Sequence, residues 1–171
     1  MILEVRRSDE SLDRQTVSLS PKAVFVLREN LDRQAAPLLF HAADFRRVSE
    51  DAPARRGGTI ALFALGMGDL DPPLAAGELP PTPPPQLPNA LCVAFLDRPS
   101  GAPVATAPPL WAGAAPGLIG VYQVNLGVPA SLSAGSYMLS LTGRRVGDAL
   151  GRECNVGFQG DELDAVTIEV R

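Results

Sequence analysis

The sequence predicts an all-β chain: an antiparallel β-sandwich with Greek-key connections and a long proline-rich surface loop. Three observations carry that expectation. Short apolar or alternating runs recur along the chain with turn signals every 8–14 residues, the pattern of a sandwich. Glycine and proline together make up 33 of 171 residues, above the ordinary share, and so much punctuation disfavours a helical bundle. The one helical candidate is a turn or so near Ala42–Arg47.

The elements follow in order. Residues 1–7 (MILEVRR) predict an edge strand, and 8–15 a polar loop, so that 1–15 form an N-terminal arm. Thr16–Ser20 alternates polar and apolar, as a half-buried strand does, and Pro21 closes it. Ala23–Leu27 is rich in β-formers. The charged stretch Arg28–Arg33 reads as a turn or exposed hairpin tip, and the apolar run Ala35–Phe40 follows it. Thr59–Leu65 is the clearest strand, nearly all apolar, which predicts burial on both faces or a very small outer face.

From 69 to 89 the composition changes. Eight of the seventeen residues from 72 to 88 are proline. Proline lacks an amide donor and fixes φ, so neither helix nor interior strand forms there. The segment is expected to be an extended, stiff surface loop crossing between sheets. Beyond it, strands are predicted at Ala90–Leu96, Val104–Ala107, Leu110–Ala112, Leu118–Leu126, Ser136–Thr142 and Ala165–Val170. Gly113–Gly117 reads as a small-residue loop, and Gly143–Gly160 as polar, glycine-punctuated chain with a short hairpin around Cys154.

Size and composition fit one domain over 1–171. A chain of this length buries about 70% of its unfolded surface, and 46% apolar with 20% charged residues excludes wholesale disorder. There are 15 basic and 19 acidic residues, giving a net charge of -4 and a pI of about 5.0. There is no long basic run, only single arginines and the isolated pairs Arg6-Arg7, Arg46-Arg47, Arg55-Arg56 and Arg144-Arg145, so a nucleic-acid interface is not expected. No apolar stretch reaches 18 residues, so membrane insertion by a helix is not expected either. The opening MILEVRRSDE shows no secretion signal. Cys92 and Cys154 lie far apart with no CxxC spacing. They are either two free thiols or one disulfide, whose long loop would contribute roughly 4 kcal/mol.

Two segments carry a family resemblance. One is Arg55–Gly68, with Pro53-Ala54-Arg55-Arg56-Gly57 at its opening, and the other is Trp111–Pro129, which reads WAGAAPGLIGVYQVNLGVP. Together they resemble the bacterial Solibacter-type C-terminal domain family, over roughly residues 16–142 and the final strand. The chain departs from the family where Trp111 replaces the usual tyrosine, and in the length of Gly143–Asp164. The resemblance implies an Ig-like module of a large secreted or cell-surface protein, and no reaction. Gly135-Ser136-Tyr137 is also similar to the start of an Ig-like strand whose phenol pins neighbouring backbone.

Chemistry-bearing residues are sparse. His41 is the only histidine, so a Ser-His-Asp or Cys-His site would have to use it, and zinc sites built on several histidines are excluded. No phosphate-cradling glycine motif is present, and no cofactor is expected. Asp69 and Asp71, at i and i+2 after a strand, are weak calcium candidates; Asp161, Glu162 and Asp164 form a second acidic cluster. Gln123 and Asn125 share one face of a strand and Tyr122 points to the other. The expected role of the amides is to tie the Ala112–Gly117 loop to the sheet; the alternative is a polar recognition face. These readings lead to a non-catalytic extracellular module for adhesion, assembly or domain spacing. Its partners would be other proteins or a second copy joined through strand edges, with MILEVRR as an exchangeable strand. The alternative is a carbohydrate-binding module using Trp111 for stacking. A small hydrolase dependent on His41 ranks last.

Overall fold

A computed structural model describes residues 2–6, 12–16, 24–30, 35–88, 91–143 and 165–171. It is all-β among the described residues, with two antiparallel sheets packed face to face. The strands are β1 (Ile2–Arg6), β2 (Leu12–Thr16), β3 (Phe25–Val26), β4 (Leu39–His41), β5 (Thr59–Leu65), β6 (Leu91–Asp97), β7 (Pro103–Ala107), β8 (Trp111–Ala114), β9 (Tyr122–Gly127), β10 (Gly135–Gly143) and β11 (Ala165–Val170).

The larger sheet has the order β3-β5-β9-β8, with β4 also paired to β5, and the smaller has the order β11-β10-β6-β7. Three connections change sheets: β5 to β6 through the proline-rich segment, β7 to β8, and β9 to β10. Period-two alternation places the core. Ile60, Leu62 and Ala64 of β5 and Val124 and Leu126 of β9 point inward from one sheet. Leu91, Val93 and Phe95 of β6, Leu139 and Leu141 of β10 and Val166, Ile168 and Val170 of β11 point inward from the other. Each buried Val, Leu, Ile or Phe among them stabilises the fold by roughly 1.5–3 kcal/mol relative to exposure.

Several expectations need correction. Leu12–Thr16 is a strand rather than part of a polar loop, and it pairs with β1 in a two-stranded sheet separate from the other two. The predicted strand Thr16–Ser20 lies outside the described residues except for Thr16, which ends β2. Ala42–Arg47 is not helical. Ala42–Asp44 turn sharply, Phe45 adopts φ 55°, and Arg47 pairs back with Phe40. Of the expected turn or exposed tip at Arg28–Arg33, Glu29 and Asn30 do form an exposed bend, but Arg28 is buried, with its guanidinium 6.0 Å from the Phe25 ring centre; residues 31–33 lie outside the described residues.

Near the chain's second motif, Gly113 and Ala114 belong to β8, whereas Leu118 and Ile119 stand exposed in the β8–β9 turn rather than in a strand. Gly117 (φ 74°) and Gly120 (φ 71°) occupy left-handed conformations that bend the chain there. Burial on both faces belongs to β6 more than to β5: Cys92, Ala94 and Leu96 are buried as well as Leu91, Val93 and Phe95. The expected hairpin around Cys154 and the acidic cluster Asp161, Glu162 and Asp164 lie outside the described residues.

The proline-rich segment is a closed loop. Asp71 and Gln86 exchange backbone hydrogen bonds of 2.8 and 3.1 Å, which pinches its ends together. Its returning limb then joins the free edge of β8: Leu87 N–H donates to Ala112 O at 3.0 Å, and Ala114 N–H donates to Pro85 O at 2.9 Å.

Candidate functional site

The strand register assembles one outward patch on the larger sheet. In one row across the strands stand Phe40, Ala61, Asn125 and Trp111; in the next stand Phe63, Gln123 and Gly113. Neighbours in such rows have Cβ atoms about 4.5–5.5 Å apart, so these side chains share a continuous face. None of the four aromatic and amide partners Phe40, Phe63, Trp111 and Asn125 belongs to the core, and all are half-buried. The rings of Phe40 and Phe63 meet edge to face at 5.9 Å between centres, and Phe45 packs on Phe40 at 5.9 Å. Phe45 is 59% exposed. Its left-handed backbone turns the ring back over the sheet, a conformation unusual for a bulky residue.

Trp111 and Gly113 explain each other. A Cβ at position 113 would come within 2.9 Å of Trp111 Cζ2 and of Gln86 Cα, and would collide with the Pro85 carbonyl oxygen. The indole therefore extends along its own strand over a bare backbone, beside Gln123. Gln123 Nε2 donates to Asn125 Oδ1 at 2.8 Å. Neither side chain reaches the Ala112–Gly117 loop, so the expected tie between amides and loop is not what the structure contains. The two amides thus bond to each other on the outer face, where both are half-buried. The patch carries no charge at any of its seven positions, in a chain one-fifth charged.

Tyr122 faces the other way, as its strand parity requires, and packs against the core. Its hydroxyl donates to Gly68 O, which fixes the turn after β5. Burial, and then the negative charge of Asp69, hold its pKa above the ordinary tyrosine value. Tyr137, at the start of β10, donates to Ser133 O at 3.0 Å. Asp69 and Asp71 are exposed, and among the described residues no three His, Cys, Asp or Glu side chains converge on one point. Cys92 is disulfide-bonded, and Cys154 lies outside the described residues. Cys92 shares its strand face with Ala94 and Leu96, opposite the inter-sheet core.

His41 ends β4 beside a cavity of about 480 Å³ that sequence reasoning did not anticipate. Asp44, Arg46, Asp51, Arg55, Thr59 and Arg171 also line it. The His41 Nε2 lies 3.2 Å from Ala52 O, and Asp44 Oδ1 accepts the Arg46 N–H at 3.0 Å. Besides the histidine, the lining carries the hydroxyl of Thr59 and the carboxylates of Asp44 and Asp51, and no serine or cysteine. These residues are scattered over four chain segments with no motif spacing, which is why no local signal marked them.

No protein-family model matches this chain, and no curated protein or solved structure does.

Proposed function

We propose that the chain is a non-catalytic, extracytoplasmic adhesion module that binds neutral carbohydrate on the outer face of its larger sheet. The observation that carries this reading is the uncharged patch in which Trp111, Phe63 and Phe40 stand in register with the Gln123–Asn125 pair. Sugar rings offer apolar C–H faces to aromatic side chains and hydroxyls to amides. Binding sites of this kind need apolar area with a few placed polar groups, and both occur here on rigid strands. The disulfide at Cys92 supports an oxidising compartment. The Tyr137 pin supports kinship with Ig-like modules, and membership of the Solibacter-type family and Greek-key connectivity belong to the same proposal.

Association through strand edges has less in its favour. The β8 edge is covered by Pro85–Leu87, and the β7 edge carries Pro103 and runs into Pro108 and Pro109, a common means of blunting an edge.

Polysaccharide-array screening followed by calorimetry tests the reading. A neutral glycan is expected to bind, with affinity falling tenfold or more in Trp111→Ala, a loss of about 1.4 kcal/mol. Gln123→Ala is expected to weaken binding without touching the indole. Both variants are checked for a native thermal transition first. Unchanged affinity in two folded variants, or failure of every glycan to bind, overturns the proposal. Light scattering that shows a dimer dissociated by either substitution assigns the face to a second copy instead, and overturns it equally.

A further inference from the structure

The cavity at His41 shares no lining residue with the seven positions of the sheet-face patch. It opens where β4 ends and β5 begins, beside the segment in which Ala54 pairs with β11. Three arginines reach it from separate parts of the chain. Arg46 is fixed by the turn after β4, where its carbonyl accepts the His41 N–H at 2.8 Å. Arg55 lies between Ala54, paired to β11, and the turn that leads into β5. Arg171 follows β11 and is held by two backbone bonds, its N–H to Ala54 O at 2.8 Å and its carbonyl to the Arg56 N–H at 3.0 Å.

Asp44 and Asp51 line the same space, yet among the described residues none of the three guanidinium groups is ion-paired with either. By contrast Arg47, which does not line the cavity, does pair with Glu29. A chain of net charge -4 thus places three arginines with no ion pair among the described residues around one cavity. Guanidinium forks match the two oxygens of a carboxylate. The two aspartates disfavour a bare multivalent anion such as sulfate or phosphate, but accept hydrogen bonds from hydroxyl groups. A ligand that satisfies both halves of the lining has one carboxylate and several hydroxyls, and 480 Å³ falls in the range of small-molecule sites.

We propose that this cavity binds a sugar acid: a hexuronate whose carboxylate lies against Arg46, Arg55 and Arg171 and whose hydroxyls face Asp44 and Asp51. The arginines are exposed, so affinity depends on ionic strength.

Titration of the full chain with glucuronate and galacturonate, followed by amide and arginine side-chain NMR, tests this. Saturable shifts are expected at Arg46, Arg55 and His41, with affinity reduced at least fivefold in Arg55→Gln and in Arg46→Gln. Glucose and galactose are expected to leave these signals unmoved, and sulfate to bind more weakly than the uronates. Asp51→Asn is expected to narrow the gap between uronate and sulfate. Trp111→Ala is expected to leave uronate binding unchanged, which separates this site from the sheet face. Absence of saturable shifts, indifference to both arginine substitutions, or sulfate binding as tightly as uronate would each overturn the proposal. An oligogalacturonate arm identifies the source: tighter binding than the monomer points to a polysaccharide, equal binding to the free acid, and the proposal stands in either case.

Discussion

Tyr122 and Tyr137 use one device on the two sheets: an aromatic body packed on the core and a hydroxyl that captures a backbone carbonyl in a neighbouring turn. At Tyr122 the device makes a pH prediction. Burial, then the charge of Asp69, raise its pKa, so the folded phenol stays protonated after that of the unfolded chain begins to ionise. Its contribution is complete below about pH 10, the ordinary tyrosine pKa, and is lost as pH climbs from there through the folded value. Tyr122→Phe removes the hydroxyl bond to Gly68 O and should cost about 0.5–1.5 kcal/mol at neutral pH. The difference between variant and parent should shrink at alkaline pH. Urea unfolding at pH 7, 9 and 11 measures this, and a constant difference across the series would mean that the phenol's ionisation is not linked to folding.

At the scale of elements, the β8 edge shows what a sequence does and does not disclose. The proline-rich run was legible as surface chain because proline bars ladder donation. Its docking was not, because the limb from Pro85 to Leu87 borrows the register of a strand more than twenty residues ahead. Gly113 looked like the start of a loop. It is a strand position stripped of its side chain so that the Trp111 indole and the Gln86 backbone can both approach. Gly113→Ala puts a methyl against the Pro85 carbonyl, in a place where backbone rather than a flexible side chain must yield. Overpacking of this kind costs typically 1–3 kcal/mol. The expected result is lower stability together with faster hydrogen exchange at the amides of Leu87 and Ala114, which bridge the limb to β8. Loss of stability with protection at those two amides intact would place the damage elsewhere.

Over the whole molecule, the sandwich followed from alternation and punctuation, whereas the two candidate sites did not. The patch depends on cross-strand register, and the cavity on the meeting of the β4 turn with β11; neither leaves a local pattern. The same limit applies to β5 and β6. TIALFAL and LCVAFLD read alike, but only β6 is buried on both faces, because neighbours decide what covers a strand's outer side. Cys92 sits on that covered side, in register with Thr142 of β10 and 5% exposed. A disulfide anchored there ties whatever chain it reaches to a strand buried on both faces, and cross-links of this kind contribute typically 2–4 kcal/mol, chiefly by restricting the unfolded ensemble. The chain contains two cysteines, so denatured protein should titrate no thiol before reduction and two afterwards. Cys92→Ala leaves a small apolar group in the same space and should lower the unfolding free energy by that amount with no added reductant. Thiols that react in denatured, unreduced protein would show that the bond does not form, and would remove the disulfide as support for an oxidising compartment. An unchanged unfolding free energy in Cys92→Ala would mean that the cross-link constrains little of the unfolded chain.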